Sequence, residues 1–267
     1  MICIIPQHGH SVRLPRKAFR EICGIPLVAW SVIQAKAAHN IDTVYVSTES
    51  EEIADICSYY GAEIIWRPKW LQDKAFGAGV PIQHAMKEIG IENDHVPVMH
   101  RLATAPLLFP DDIDRLYKQF VESEDYPENL SCFKSVHFGA EVQEVVAYRR
   151  VRDPDLHMIT PHYIDKSHNT VIPFGGCNII YADKCMGKEG LMEWYYQVDH
   201  ATDAMQDPEL VFSSLLLGGG LMSYVPCRQW QTAEIDDEQG LEMCEIFMEK
   251  KILKGRGPEV YYEYARE

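Results

Sequence analysis

Short apolar segments alternate with segments of helical periodicity from Met1 to Phe120, and this alternation restricts the fold more than any other feature of the sequence. Between the apolar segments, apolar residues recur at three- and four-residue spacings, which is typical of helices packed on a sheet. Repeated strand–helix units of this kind favour a parallel sheet with helices on both faces. We therefore predict an α/β fold with a doubly wound, mostly parallel sheet, whose first strands are Met1–Pro6, Thr43–Ser47, Ala62–Trp66 and Val96–His100.

Proline, glycine and capping residues mark the helix ends in this half of the chain. Pro26 predicts the start of a helix that continues to about His39. Thr48 and Glu51 match the T-x-x-E capping box, which predicts the start of the next helix. Gly61 stands where a C-terminal cap belongs and predicts the end of that helix.

The second half of the chain is less regular, and no linker or internal repeat divides it. We expect a single domain over residues 1–253, with an insertion at about 140–173, and a C-terminal tail over 254–267 that is either weakly ordered or docked. The polar stretch from Arg149 to Pro173 predicts a loop or small subdomain. Further strands and helices are predicted at Leu130–Val136, Val142–Tyr148, Asn178–Tyr181, Glu209–Leu217, Leu221–Pro226 and Leu241–Ile252.

The chain is strongly acidic, since 40 Asp and Glu residues outnumber 25 Lys and Arg residues and leave a formal charge of −15. Such a surface repels phosphate backbones and argues against a DNA or RNA polymer as partner. No apolar run approaches the roughly 18–20 residues of a membrane span, so we expect no membrane association. The eight cysteines include no CxxC pair, and no export signal is recognisable, which favours reduced thiols in a cytoplasmic protein.

A basic loop follows the first predicted strand, at the end of the sheet where open α/β proteins bind their ligands. Gly9 permits a close backbone approach, the Ser11 hydroxyl is a potential donor, and Arg13, Arg16 and Lys17 supply positive charge. Cations and backbone amides gathered in one short loop suit the phosphates of a nucleoside triphosphate. The alternative interpretation is a solvated basic loop.

Four segments carry a resemblance to a known family. They are IPQHGHSVRLPRKAFREICGIPLVAWSV from Ile5, VSTESEEIADICSYYGAEIIWRP from Val46, TAPL from Thr104 and EIDDE from Glu234. In order and spacing they resemble the motifs of cytidylyltransferases of the acylneuraminate (CMP-sialic acid synthetase) type. The resemblance implies a Rossmann-like nucleotidyltransferase fold. It also implies transfer of CMP from CTP to an acidic acceptor, such as a sialic acid-like ulosonic acid, with release of pyrophosphate.

The resemblance also implies roles for individual residues. Catalysis would fall to Lys17 and Arg13, which would stabilise the charge that develops at the α-phosphate and the leaving group. Glu234 and Asp236 would bind Mg²⁺, because hard carboxylate oxygens suit this ion. Asn178 would contact the acceptor. Nucleotide-binding roles are implied for Pro6, His8, Gly9, Ser11, Arg67 and Thr104.

The sequence departs from the family pattern at four positions. His8 replaces an Arg, Val12 a Lys, Ala18 an Asn, and Leu102 a Gln that usually reads cytosine. These differences leave three alternatives open: another nucleoside triphosphate, a phosphonate or other anionic acceptor, or a non-catalytic nucleotide-binding scaffold. The family resemblance also implies a homodimer, with residues 142–173 reaching the partner subunit.

Overall fold

A computed structural model describes residues 1–11, 13–72, 79–122, 130–136, 163–164, 170–182, 222–226 and 228–264. Within these ranges eight strands form one sheet and two short strands form a hairpin beside it. The strands, in chain order, are β1 Ile2–Pro6, β2 Glu21–Ile22, β3 Ile25–Pro26, β4 Thr43–Thr48, β5 Glu63–Trp66, β6 Pro97–Arg101, β7 Leu130–Val136, β8 Tyr163–Ile164, β9 Thr170–Tyr181 and β10 Met222–Pro226.

The main sheet has the strand order β10-β7-β9-β6-β1-β4-β5, with β8 paired to β9 outside this path. Strands β5, β4, β1 and β6 run parallel to one another, as do β7 and β10. Strand β9 runs antiparallel to its neighbours β6, β7 and β8. The prediction of a mostly parallel α/β sheet is therefore confirmed.

Helices cover both faces of this sheet. The α-helices are α1 Leu27–Ala37, α2 Glu51–Tyr59, α3 Gly79–Glu88, α4 Pro110–Glu122, α5 Glu238–Phe247 and α6 Glu259–Tyr264, with 3₁₀ turns at Lys17–Phe19, Lys69–Gln72 and Gln229–Thr232 and a π-helix at Met248–Leu253. Cys3 and Ile5 pack in the cluster that includes α1, α2 and α4, whereas Ile4 packs in the cluster that includes α3. Alternate residues of β1 thus bury their side chains on opposite faces.

The predicted capping box at the start of α2 is wrong by two residues. Thr48 is the last residue of β4, and the N-cap of α2 is Ser50, whose hydroxyl accepts from the Ile53 amide at 3.4 Å. A serine fills the N-cap role as well as a threonine does, so the motif alone could not distinguish them. The cap predicted at Gly61 is confirmed, since its φ of 88° lies in the left-handed region that glycine favours.

The predicted strand Asn178–Tyr181 is longer in the structure, because β9 begins at Thr170. The polar stretch predicted to reach Pro173 therefore ends in a strand rather than a loop. The register between β7 and β9 jumps between Cys132 and Phe133, which accommodates the extra residues of β9 before Asn178. The predicted elements Val142–Tyr148 and Glu209–Leu217 and most of the 140–173 insertion lie outside the described residues.

The C-terminal segment packs against α1. A third apolar cluster joins Leu27, Trp30 and Ile33 of α1 to residues of α5 and to Tyr261 of α6, which is fully buried. Within its described residues, the C-terminal segment buries Val260 and Tyr261. Helix α1 is consequently covered by the sheet on one side and by the C-terminal helices on the other.

No helix within the described ranges has both the length and the apolar character needed to cross a membrane.

Candidate functional site

The loop from Gln7 to Arg20 lies at the carboxyl ends of adjacent parallel strands. It leaves β1 at Pro6, the predicted nucleotide-binding residue whose Cα partner is Ser47 at the end of β4. The Gln7 amide continues this pairing by donating to the Ser47 carbonyl at 3.0 Å. The loop therefore begins at the edge of the sheet where ligands of open α/β proteins bind.

Arg13 and Lys17, the two predicted catalytic cations of this loop, both contact Asp236, a predicted metal ligand. We call these three residues the Asp236 cluster. The Lys17 ammonium donates to Asp236 Oδ1 at 2.9 Å and to the Ile235 carbonyl at 2.7 Å. The Arg13 guanidinium donates to Asp236 Oδ2 at 2.7 Å. The fold thus brings together charges that are more than 200 positions apart in the sequence.

The second predicted metal ligand, Glu234, is close to the same charges. Burial and the neighbouring carboxylate of Asp236 raise its pKa, while Lys17 and Arg13 act in the opposite direction. Between the two carboxylates, the Ile235 amide donates to the carbonyl of Thr104 at 2.9 Å. Thr104, which was predicted to bind the nucleotide, therefore also holds the backbone of the segment that carries Glu234 and Asp236.

A second group of polar side chains contacts the start of the loop and consists of His8, Ser47, Glu49 and Arg67. We call it the Glu49 cluster. Arg67 Nε donates to Ser47 Oγ at 3.0 Å, and Arg67 Nη1 is 3.0 Å from the ring nitrogens of His8 and 3.7 Å from Glu49 Oε2. The Arg67 side chain is 0% exposed and that of Glu49 only 11%. The predicted residues His8 and Arg67 are therefore in contact.

Electrostatics keep both charged members of the Glu49 cluster ionised. Burial alone would raise the pKa of Glu49, but hydrogen bonds from His8 and the Gly9 amide outweigh it and lower the pKa to about 2. Burial lowers the pKa of Arg67 to about 10, against the attraction of Glu49. The Arg67 Nη2 atom is buried and has no hydrogen-bond partner within the described part of the chain.

The Gly9 amide and the Ser11 hydroxyl, which were predicted to donate to phosphates, donate to acceptors within the protein. The Gly9 amide donates to Glu49 Oε1 at 2.7 Å. The Ser11 hydroxyl donates to the Leu14 carbonyl at 2.5 Å and accepts from the Lys17 amide at 2.8 Å. In this conformation both residues shape the loop, and a phosphate would have to replace these contacts.

The remaining predicted positions are distributed over the sheet and the loop. Asn178 lies on β9 opposite His100 of β6, which in turn pairs with Ile4 of β1, so its backbone is two strands away from the loop. Ala18 is 2% exposed within an apolar cluster, which explains why a polar residue is absent there. Val12 lies outside the described residues.

Sequence reasoning missed Glu49 as a site residue. Its position directly after β4, next to β1 in the sheet, was the available signal, because the ends of adjacent parallel strands share one edge. Among the residues that the structure describes, no three His, Cys, Asp or Glu side chains form a group that could hold a metal ion by themselves.

An open α/β sheet with a basic loop at its strand ends, in contact with carboxylates, is typical of the class of nucleotide-binding α/β proteins. In fold the chain is similar to a solved structure of CMP:2-keto-3-deoxy-manno-octonic acid synthetase complexed with CTP. The TM-score is 0.61 at 14% identity, over 94% of this chain and 98% of that chain. Residues 2–175 match the sequence profile of the family described as Cytidylyltransferase, and the protein belongs to this family.

The chain is also similar in sequence to curated cytidylyltransferases whose names state an acceptor sugar. Over 127 residues the chain is 34% identical to a pseudaminic acid cytidylyltransferase of Campylobacter jejuni, a match covering 46% of this chain and 54% of that protein. Over 153 residues it is 30% identical to a 3-deoxy-manno-octulosonate cytidylyltransferase of Wolinella succinogenes, covering 57% of each. The chain thus spans about half the length of the curated relatives that it matches. The resemblance predicted from the four sequence segments is confirmed.

Proposed function

We propose that this protein transfers CMP from CTP to an acidic sugar acceptor and releases pyrophosphate. The observation that carries the proposal is the Asp236 cluster, in which Lys17 and Arg13 converge on one carboxylate beside the loop of a cytidylyltransferase-family protein. The relatives named for pseudaminic acid and 3-deoxy-manno-octulosonate support an acidic sugar as acceptor.

In the proposed reaction an acceptor oxygen forms a bond to the α-phosphorus of CTP, and the bond to the pyrophosphate oxygen breaks. Such chemistry depends on in-line positioning and on neutralising phosphate charge rather than on a protein nucleophile. Lys17 and Arg13 would leave Asp236 and bind the phosphate oxygens. Arg67 Nη2, which is buried without a partner among the described residues, would be a further donor to the nucleotide. Asn178 is proposed as an acceptor contact.

The two carboxylates fit Mg²⁺. This ion is commonly held by one or two protein carboxylates together with waters and substrate phosphates, so a ready-made cage of three ligands is not required. Burial and the charge of Asp236 raise the pKa of Glu234, and a bound cation would oppose both effects. We propose that Glu234 and Asp236 would hold Mg²⁺, which supplies further neutralisation of the phosphates when bound.

Our proposals for the localisation, oligomeric state and partners of the protein rest on the same family resemblance and on its composition. We propose a cytoplasmic homodimer that acts on small molecules and binds neither membranes nor nucleic acid polymers. A nucleotidyltransferase that uses another nucleoside triphosphate is the second candidate, and the observation that favours it is Leu102 at the position where the family usually has a cytosine-reading Gln.

Pyrophosphate release measured with each of the four nucleoside triphosphates, Mg²⁺ and a panel of ulosonic acids tests the proposal. We expect release with CTP and at least one acidic acceptor. Faster release with a purine nucleotide would favour the second candidate. No release with any combination, together with no thermal stabilisation by any nucleotide, would contradict both.

The metal assignment has its own test. Asp236→Asn replaces a charged oxygen ligand with a neutral one of the same shape, so the Mg²⁺ concentration for half-maximal turnover should rise. Asp237→Asn is the matched control, because Asp237 caps α5 through the Gly240 amide at 2.8 Å and asparagine is an equally good cap. Equal Mg²⁺ requirements in both variants and the unchanged protein would show that the metal lies elsewhere.

A further inference from the structure

Three consecutive carbonyl groups in the segment Thr104–Pro106, here called the site loop, each accept a hydrogen bond from outside the segment. The first accepts from the Ile235 amide at 2.9 Å, the second from the Arg101 guanidinium at 3.4 Å, and the third from the side-chain amide of Gln34. The site loop follows β6 and is held at every residue. One of the three contacts leads into the candidate site, because Ile235 lies between its two carboxylates.

Gln34 connects the site loop to the C-terminal helix. Its side chain is fully buried in α1, and its Nε2 atom also donates to the Tyr261 hydroxyl at 2.9 Å. Its Oε1 atom accepts from Arg101. Tyr261 is itself fully buried and its ring lies against that of Trp30, with centroids 5.8 Å apart. A continuous polar path therefore runs through the core from α6 to the site loop.

The charge of Arg101 makes this path hard to rearrange. The residue is 0% exposed, and its Nε and Nη1 atoms have no hydrogen-bond partner among the residues that the structure describes. Its contacts with Gln34 and the site loop are therefore the hydrogen bonds that compensate a buried cation. Buried polar groups of this kind strongly disfavour any arrangement that removes a partner. A change at Gln34 must consequently affect Arg101 and the site loop together.

We propose that Gln34 and Tyr261 are positioning residues for the active site. They hold the site loop, the Thr104 carbonyl holds the Ile235 amide, and this contact keeps Asp236 within reach of Lys17. The consequence for catalysis rests on the proposed function, whereas the link between the C-terminal helix and Ile235 does not. The C-terminal helix thus supports the site indirectly, through the hydrogen bonds of Tyr261 and Gln34, and has no direct contact with a substrate in this proposal.

Hydrogen exchange at the Ile235 amide tests the link without any substrate. Tyr261→Phe keeps the ring and removes only the hydroxyl, while Gln34→Met keeps the length of the side chain and removes all of its hydrogen bonds. We expect exchange at Ile235 to accelerate several-fold in the first variant and at least about tenfold in the second, with exchange at Ile5 in β1 unchanged. Tyr262→Phe, on the more exposed neighbour in the same helix, is the control and should leave Ile235 unchanged.

Turnover measured well below the melting temperature tests the catalytic consequence. We expect Tyr261→Phe to raise the Mg²⁺ concentration for half-maximal turnover and to lower kcat several-fold, and the double variant to be no worse than Gln34→Met alone. Unchanged exchange at Ile235 in both variants, or wild-type kinetics despite faster exchange, would overturn the proposal. If the unchanged protein turns over no substrate, the proposed function fails, and the exchange experiment still decides whether α6 controls Ile235.

Discussion

The two charged clusters that contact the basic loop, the Glu49 cluster and the Asp236 cluster, differ in burial. In the Glu49 cluster the side chains of Arg67 and Glu49 are 0% and 11% exposed. In the Asp236 cluster Arg13 and Asp236 are 73% and 43% exposed, and only Lys17, at 12%, is largely buried. Charges in water exchange partners at little cost, while a buried charge that loses its partner is strongly destabilising. The comparison suggests that the Glu49 cluster supports the loop and that the Asp236 cluster is free to exchange its contacts for those of a ligand.

The largest effect is expected for Arg67→Met. It removes a buried cation that lies 3.7 Å from the Glu49 carboxylate and donates to Ser47. Breaking a buried pair in this way typically costs about 3–5 kcal/mol, and the remaining hydrogen bonds from His8 and the Gly9 amide place the loss at the lower end. The free energy of unfolding, measured by urea denaturation, should fall by an amount of this order. Unchanged stability with lost nucleotide binding would break the comparison, because Arg67 would then act on the ligand alone.

Lys17→Met should reduce turnover more than stability, although it also removes the donor to the Ile235 carbonyl from a largely buried side chain. Removing one preorganised donor to developing charge usually costs about 10²–10³-fold in turnover. Steady-state kinetics and a melting curve of the same sample measure the two effects. Lys36→Met, at an exposed position on α1, is the matched control and should turn over like the unchanged protein. Wild-type turnover in Lys17→Met would remove Lys17 from the mechanism.

Acid should act first on His100 and then on the Glu49 cluster. Burial lowers the pKa of His100 to about 4, so the unfolded chain binds this proton more readily and stability falls as the pH drops from about 6.5 to 4. Glu49 has a folded pKa of about 2, set by burial and by the stronger opposing hydrogen bonds. Its contribution is therefore lost between about pH 4.5 and 2.

Unfolding free energies measured across this pH range separate the two groups. Glu49→Gln should flatten the lower part of the profile, and His100→Phe should flatten the upper part. A lower part that is unaffected by Glu49→Gln would mean that the buried cluster does not depend on the charge of Glu49.

The smallest effect is expected for Arg16→Met, in the same loop as Lys17. Arg16 pairs with Glu52 at 2.6 Å, but the two side chains are 63% and 55% exposed, and such surface pairs contribute about 0–1 kcal/mol. The backbone of Arg16 has a positive φ of 55°. Methionine and arginine both carry a Cβ, so the substitution does not change the steric cost of this backbone conformation. Stability and turnover should both stay close to those of the unchanged protein. A large loss of turnover would extend the catalytic group beyond the Asp236 cluster.

Periodicity predicted the sheet well where strands and helices alternate, as at Ile2–Pro6 and Leu27–Ala37. It was less accurate at Thr170–Tyr181, because Pro173 and the adjacent glycines indicate a break that the bulged pairing with β7 accommodates. The capping box was misplaced because Thr48 and Ser50 are both good caps, and only the end of β4 decides between them. Local sequence patterns therefore misplace the ends of strands and helices where pairing with a neighbouring strand sets those ends.

The same division applies to the site. The basic loop and Arg67 after β5 could be identified because charged residues next to strand ends carry a local signal. Glu234 and Asp236, which lie between a 3₁₀ turn and α5, were identified through the family resemblance. What only the tertiary structure decided is which of these charges meet. The contact of Lys17 with Asp236, the capture of the Gly9 amide by Glu49, and the burial of Tyr261 beside Gln34 all join segments that are distant in the sequence. Their pairing depends on the order of strands in the sheet and on the docking of the last helix, and neither of these is encoded in any single segment.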